Sequence, residues 1–149
     1  MKQDQITKAY EAARMRYAEM GIDTDKTLAV LQQISLSLHC WQTDDVTGFE
    51  NSGGQLTGGI QATGNYPGKA RNIDEVRADI EKAKSLIPGS HRLSLHAIYG
   101  DFKGKKVDRD QIEPEHFQSW IDWARANGMK LDFNSTSFSH PKSGDLSLA

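Results

Sequence analysis

The sequence predicts an α/β fold built on parallel strands, and three observations carry that prediction. Short segments in which apolar and polar residues alternate are separated by amphipathic helical stretches, the order that produces a parallel sheet with right-handed crossovers. Each strand-like segment leads to polar or aromatic residues at its C-terminal end: His39 and Trp41, His96 and Tyr99, Asn134 and Phe138. Only three such strands fit into the 149 residues, whereas a closed α/β barrel takes about 250. The expected architecture is therefore the first three βα units of a (β/α)8 TIM barrel, an incomplete barrel. Residues 1–33 are expected to form an N-terminal helical extension and 34–149 the start of the barrel, with strands near 34–39, 92–98 and 129–134. A doubly wound sheet also places ligands at strand ends, so strand-end chemistry alone does not separate the two parallel architectures.

Ile6, Tyr10, Ala13 and Tyr17 lie at helical spacing, with Gly21 as a stop. Thr24 is placed to cap a second helix carrying Leu28 and Leu31. The period then changes to the alternation of Ile34 through His39, a strand. Residues 42–71 hold seven glycines and no continuous period. A loop of that length is usually functional or disordered, and its mixture of Asp44, Asp45 and Glu50 with Val46, Phe49, Leu56, Ile60 and Tyr66 favours function. Asn72 can cap the next helix, with Glu75 closing a capping box and Ile73, Val76, Ile80, Ala83 and Ile87 forming one stripe up to Pro88-Gly89. Arg92 through Tyr99 reads as the second strand. Pro114 suits a first helical turn, Phe117, Trp120, Ile121 and Ala124 make the stripe, and Asn127-Gly128 ends it. Met129 to Asn134 reads as the third strand and the remainder as loop.

Composition narrows the function classes. Eighteen basic against twenty acidic residues give a net charge of −2 with no basic block, which argues against nucleic-acid binding. The apolar runs are far shorter than the roughly 20 residues of a membrane span, and the charged, helix-periodic N-terminus lacks a signal-peptide core. Cys40 is the only cysteine. It leaves neither an internal disulfide nor a cysteine-based metal knot, and a reducing, cytoplasmic setting is expected.

The glycine loop fails the phosphate-cradle patterns. Gly59 and Gly64 have Walker spacing but are followed by Asn65-Tyr66, and Gly68-Lys69 is followed by Ala70. A dinucleotide fingerprint needs a short turn directly after a strand, and this loop is too long. His39 and His96 share a Ser-Leu-His context on two strands. They read either as core histidines satisfied by backbone or as site residues; His96, flanked by Ile98 and Tyr99 at a cleft, reads as functional. Two histidines do not make a catalytic metal site, which wants three protein ligands. Asp44 and Asp45, adjacent in a loop, read as solvated or capping carboxylates, and His116 reads as surface. His140 beside Pro141 suits loop structure and site equally. Trp120 and Trp123 fit helix packing, whereas Trp41, just past a strand end, is the better platform for a sugar ring.

Longer stretches carry a more specific signal. His39-Cys40-Trp41-Gln42-Thr43-Asp44-Asp45-Val46 with Gly48-Phe49-Glu50, and the sixteen-residue run from Leu56 to Arg71, resemble the first strand and glycine loop of L-rhamnose isomerases. Leu95 to Tyr99, Asp108-Arg109-Asp110, Pro114 to Phe117, Leu131 to Asn134 and Phe138 to Pro141 continue the resemblance in order. It implies a (β/α)8 barrel and a tetrameric cytoplasmic enzyme that interconverts L-rhamnose and L-rhamnulose by a manganese-dependent, two-metal hydride shift. The family's metal ligands come from later strands, so none is expected in this chain, which resembles the family's N-terminal third.

On the substrate side, the resemblance implies that His96 hydrogen-bonds the sugar and assists ring opening. It implies that Val46, Leu56, Ile60, Ile98 and Tyr99 line an apolar pocket for the C6 methyl group, with Trp41 and Phe133 as neighbouring walls. The glycine loop would order over substrate as a lid. The chain is thus expected to be a fragment holding part of the substrate pocket and inactive alone. The alternatives are a self-standing, non-catalytic sugar-binding module and another sugar isomerase or epimerase on a similar barrel.

Overall fold

A computed structural model of the chain describes residues 2–49 and 68–136. By its contacts the chain divides into two compact units, residues 1–35 and 36–149. In the first, α1 (Gln3–Glu19) and α2 (Thr24–Leu31) form where the helical spacing places them. Gly21, at φ 79°, supplies the left-handed step after α1. The cap of α2 differs from expectation: Asp23, not Thr24, occupies it, its Oδ1 accepting from the Lys26 N–H at 3.0 Å. Thr24 is the first helical residue instead. The Tyr10 hydroxyl donates to Asp25 at 2.9 Å across the pair, and neither helix buries a residue.

The second unit runs β1 (Leu36–His39), α3 (Ile73–Leu86), β2 (His91–His96), α4 (Gln118–Ala126) and β3 (Lys130–Asn134). The three strands form one parallel sheet in the order β1-β2-β3. The register places Leu38 beside Leu93, Leu93 beside Leu131 and His96 beside Asn134. Because side chains alternate across a strand, one sheet face carries Leu36, Leu38, Leu93, Leu95, Leu131 and Phe133. That face meets the helices in a core with Val76, Ile80, Trp120, Ala124 and Met129. The opposite face is polar, with Ser37 and His39 on β1, Arg92, Ser94 and His96 on β2, and Lys130, Asp132 and Asn134 on β3.

Local chemistry explains most boundaries. The Asn72 side chain accepts from the N–H groups of Asp74 and Glu75 and so starts α3. Glu75 does not close a capping box onto Asn72; its carboxylate accepts from the Arg71 N–H at 2.8 Å and pairs with the Arg71 guanidinium. Gly128, at φ 62°, follows α4. The expected strand limits shift. β1 starts at Leu36, two residues after Ile34, and β2 stops at His96, because Ala97–Tyr99 curl into a 3-10 turn. The Trp120 indole N–H fixes that turn from α4 by donating to the Tyr99 carbonyl at 2.7 Å. Pro114–Phe117 is likewise a 3-10 turn leading into α4.

Candidate functional site at the strand ends

The C-terminal ends of β1 and β2 bring three predicted residues together. His39 stacks on Trp41 with ring centroids 4.0 Å apart, and Trp41 meets His96 edge-on at 4.3 Å. His39 is exposed, Trp41 half-buried and His96 buried. His39 is therefore not a core histidine. Burial first, and the nearby His39 charge second, hold the His96 imidazole below its ordinary pKa, so it is neutral at pH 7. A neutral imidazole can both donate and accept a hydrogen bond. Cys40, fully buried beneath the cluster, has its thiol pushed up to about 12 by burial, which keeps it an inert filler.

Next in the chain, residues 43–49 form a turn pinned at several points. Thr43 accepts from the Ala70 N–H at 2.7 Å, closing the base of the glycine loop. Asp44 is 1% exposed and Asp45 6%, so of the two expected alternatives the carboxylates are not solvated, and Asp44 is the one that caps a backbone N–H, that of Gly48. Asp44 Oδ2 accepts from the Gly48 N–H at 2.8 Å, and its Oδ1 accepts from the Tyr99 hydroxyl at 2.5 Å. Burial raises the Asp44 pKa against the opposing effect of those hydrogen bonds; burial and the Asp44 charge push the Tyr99 phenol well up. Val46 lies half-buried in this turn and Ile98 is buried in the 97–99 turn. The two turns are joined by the Phe49 N–H donating to the Ile98 carbonyl at 2.7 Å. Gly48 is required there: a Cβ would stand 2.7 Å from Ile98 side-chain carbons, at φ 66°.

Phe133 is not gathered into this group. It lies on the helix-facing side of β3 beside Leu95, its ring edge-on to Phe117 at 5.0 Å; the polar face beside His96 is taken by Asn134. Leu56, Ile60 and most of the expected lid lie outside the described residues, as do Phe138 and His140. His116 is half-buried rather than surface, its Nδ1 accepting from the Glu113 N–H at 2.9 Å. Trp120 is fully buried in the helix layer, with Trp123 against it.

Sequence reasoning missed Thr136 and the pairing of Asp44 with Tyr99. Thr136 is 1% exposed; its hydroxyl accepts from the Ala97 N–H at 3.0 Å, tying the end of β3 to that of β2. The available signal was Asn134, whose side chain accepts from the N–H two residues on, as asparagines in turns do. Beside the site, a hollow of about 580 Å³ lies between the loop base and residues 100–106, with Lys69, Arg71, Lys103, Lys105 and Lys106 among its walls. Neither Trp41 nor His96 lines it. Among the described residues no group of three His, Cys, Asp or Glu could hold a metal ion, and no helix is long and apolar enough to cross a membrane.

Residues 4–149 match the family described as L-rhamnose isomerase (RhaA). The chain is 72% identical over 148 residues to an L-rhamnose isomerase of Bacteroides thetaiotaomicron, covering 99% of the chain and 35% of the relative. It is 57% identical over 140 residues to one from Rhodopirellula baltica, covering 94% of the chain and 33% of the relative. An Escherichia coli L-rhamnose isomerase is 58% identical over 141 residues, 95% of the chain and 33% of the relative. The chain thus spans about a third of the length of these relatives.

Proposed function

We propose, from the premise that this chain belongs to the L-rhamnose isomerase family, that it is the amino-terminal part of an enzyme interconverting L-rhamnose and L-rhamnulose. The family match over residues 4–149 carries the reading, since it takes in the strand ends where His39, Trp41 and His96 meet. In this reading the three parallel strands open a (β/α)8 barrel and their polar face looks into its lumen. His96, buried and neutral, hydrogen-bonds the sugar; such an imidazole can take the proton of the anomeric hydroxyl and return it to the ring oxygen as the bond between C1 and the ring oxygen breaks. Trp41 offers a flat wall for the ring. Val46, Ile98 and Tyr99, with Leu56 and Ile60, receive the C6 methyl, a group that needs an apolar patch beside the sugar's polar face. Phe133 has no part in the reading, because it stands on the helix side of the sheet.

The described residues hold no cluster of three ligands to fit the manganese that the resemblance implies; by that resemblance its ligands come from later strands of the longer enzyme. A homotetramer in the cytoplasm completes the proposal, and the fragment alone is inactive. The test uses the full-length protein that carries these residues. Incubated with L-rhamnose and manganese, it is expected to yield L-rhamnulose, to lose activity on chelation and to regain it when manganese is restored. Saturable rhamnose binding without turnover under those conditions would overturn the isomerase reading in favour of a binding module.

A further inference from the structure

Asp45 and Val46 stand consecutively in the left-handed backbone region, at φ 58° and 64°, with Gly48 two residues on at φ 66°. For a β-branched residue that conformation is an outlier. It persists only where the surroundings over-determine it. Backbone bonds hold this turn, Phe49 N–H to the Ile98 carbonyl among them, and the side chain that adds to them is Asp44. The Asp44 carboxylate spans from the Gly48 N–H at 2.8 Å to the Tyr99 hydroxyl at 2.5 Å. It thereby ties the strained turn that carries Val46 to the 3-10 turn that carries Ile98 and Tyr99. Each carboxylate oxygen accepts a hydrogen bond from within the protein, and the side chain is 1% exposed, so Asp44 is placed to act on sugar only through the residues it holds.

We propose that Asp44 is a positioning residue for sugar specificity: by clasping Gly48 and Tyr99 it sets Val46, Ile98 and Tyr99 as a single wall against the C6 methyl. The proposal rests on the isomerase reading. Turnover of L-rhamnose by the full-length parent protein is therefore measured first; its absence would end that reading and leave the clasp without a substrate. Given turnover, kcat/KM is compared for L-rhamnose and for L-mannose, which carries a hydroxyl at C6. Asp44→Asn is expected to lower the preference for rhamnose about five- to tenfold, within what one apolar contact contributes, chiefly by raising KM for rhamnose. Val46→Ala is expected to do the same, and the double variant to go no lower than the larger single effect, since both act on one wall. Tyr99→Phe removes only the hydroxyl and gives a second reading by the same ratio where Asp44→Asn does not fold. The proposal fails if these variants lower the melting temperature and leave the rhamnose-to-mannose ratio unchanged. It fails equally if the effects of Asp44→Asn and Val46→Ala multiply.

Discussion

His96 shows how much of a side chain's chemistry is set by its neighbours. Burial and the His39 charge hold its imidazole below the ordinary value of 6.5, while the Trp41 ring lies edge-on to it at 4.3 Å. In the proposed isomerase, replacing it should remove a sugar contact and leave metal binding alone. In the full-length protein, His96→Ala is expected to lower turnover about 100-fold with manganese content unchanged; loss of the metal in that variant would contradict the role. The depressed pKa also fixes a direction for stability. Above about pH 6.5 the imidazole is neutral in both folded and unfolded chains, and its contribution is complete. As the pH falls, the unfolded chain takes the proton first, so stability declines until the pH has passed below the folded value. The parent should therefore lose more of its urea midpoint between pH 7.5 and 5.5 than His96→Gln does. The placement of His96 and Trp41 at strand ends was legible from the alternation that marks the strands. The pairing of Asp44 was not, because its partner Tyr99 is 55 residues away and no local pattern marks the pair.

In the elements, the same alternation that fills the core also assembles a polar cluster across all three strands. The Ser37 hydroxyl donates to Asp132 Oδ2 at 2.7 Å, and the Arg92 Nε–H donates to both Asp132 oxygens at 2.9 Å. Hydrogen bonds from Arg92 first, and from Ser37 second, pull the Asp132 carboxyl down to about 2. Its contribution to stability is complete above the ordinary carboxylate pKa of 3.8 and is lost as the pH falls through about 2. Asp132→Asn should therefore flatten the acid limb of the urea midpoint between pH 5 and 2.5; an unchanged limb would show that the cluster adds nothing in solution. The helices were legible from their stripes, and α3 from its Asn72 cap, since these are local features. The end of β2 was not. Ala97, Ile98 and Tyr99 are apolar enough to extend a strand, and what rolls them into a turn is the tertiary hydrogen bond from Trp120. Phe133 was misplaced for a different reason. The alternation of Leu131, Asp132, Phe133 and Asn134 already puts Phe133 with the core and Asn134 with His96, and face parity outweighs closeness to the strand end.

For the whole molecule, the sheet itself states what is required to complete it. Among the described residues β1 and β3 are both edge strands, while parallel sheets are normally covered on both faces and their edges paired or protected. Leu36 on β1 is 47% exposed and Phe133 on β3 is 60% exposed, although the register assigns both to the apolar face. The polar face has the opposite character, and in a closed barrel its Arg92–Asp132 pair would lie in the lumen, where a charge pair needs its hydrogen bonds satisfied. Both faces are compatible with the relatives' greater length, of which the chain spans about a third. The 149-residue polypeptide by itself is therefore expected to self-associate with rising concentration in sedimentation experiments. It is also expected to give no L-rhamnulose from L-rhamnose even with manganese supplied. Adding the remaining portion of the full-length protein as a separate polypeptide should suppress the association and restore turnover, because in the proposed barrel it would pair the two edges and bring the metal ligands. Turnover by residues 1–149 alone would mean that the described strand ends complete a site without further strands, and the proposed barrel would have to be abandoned.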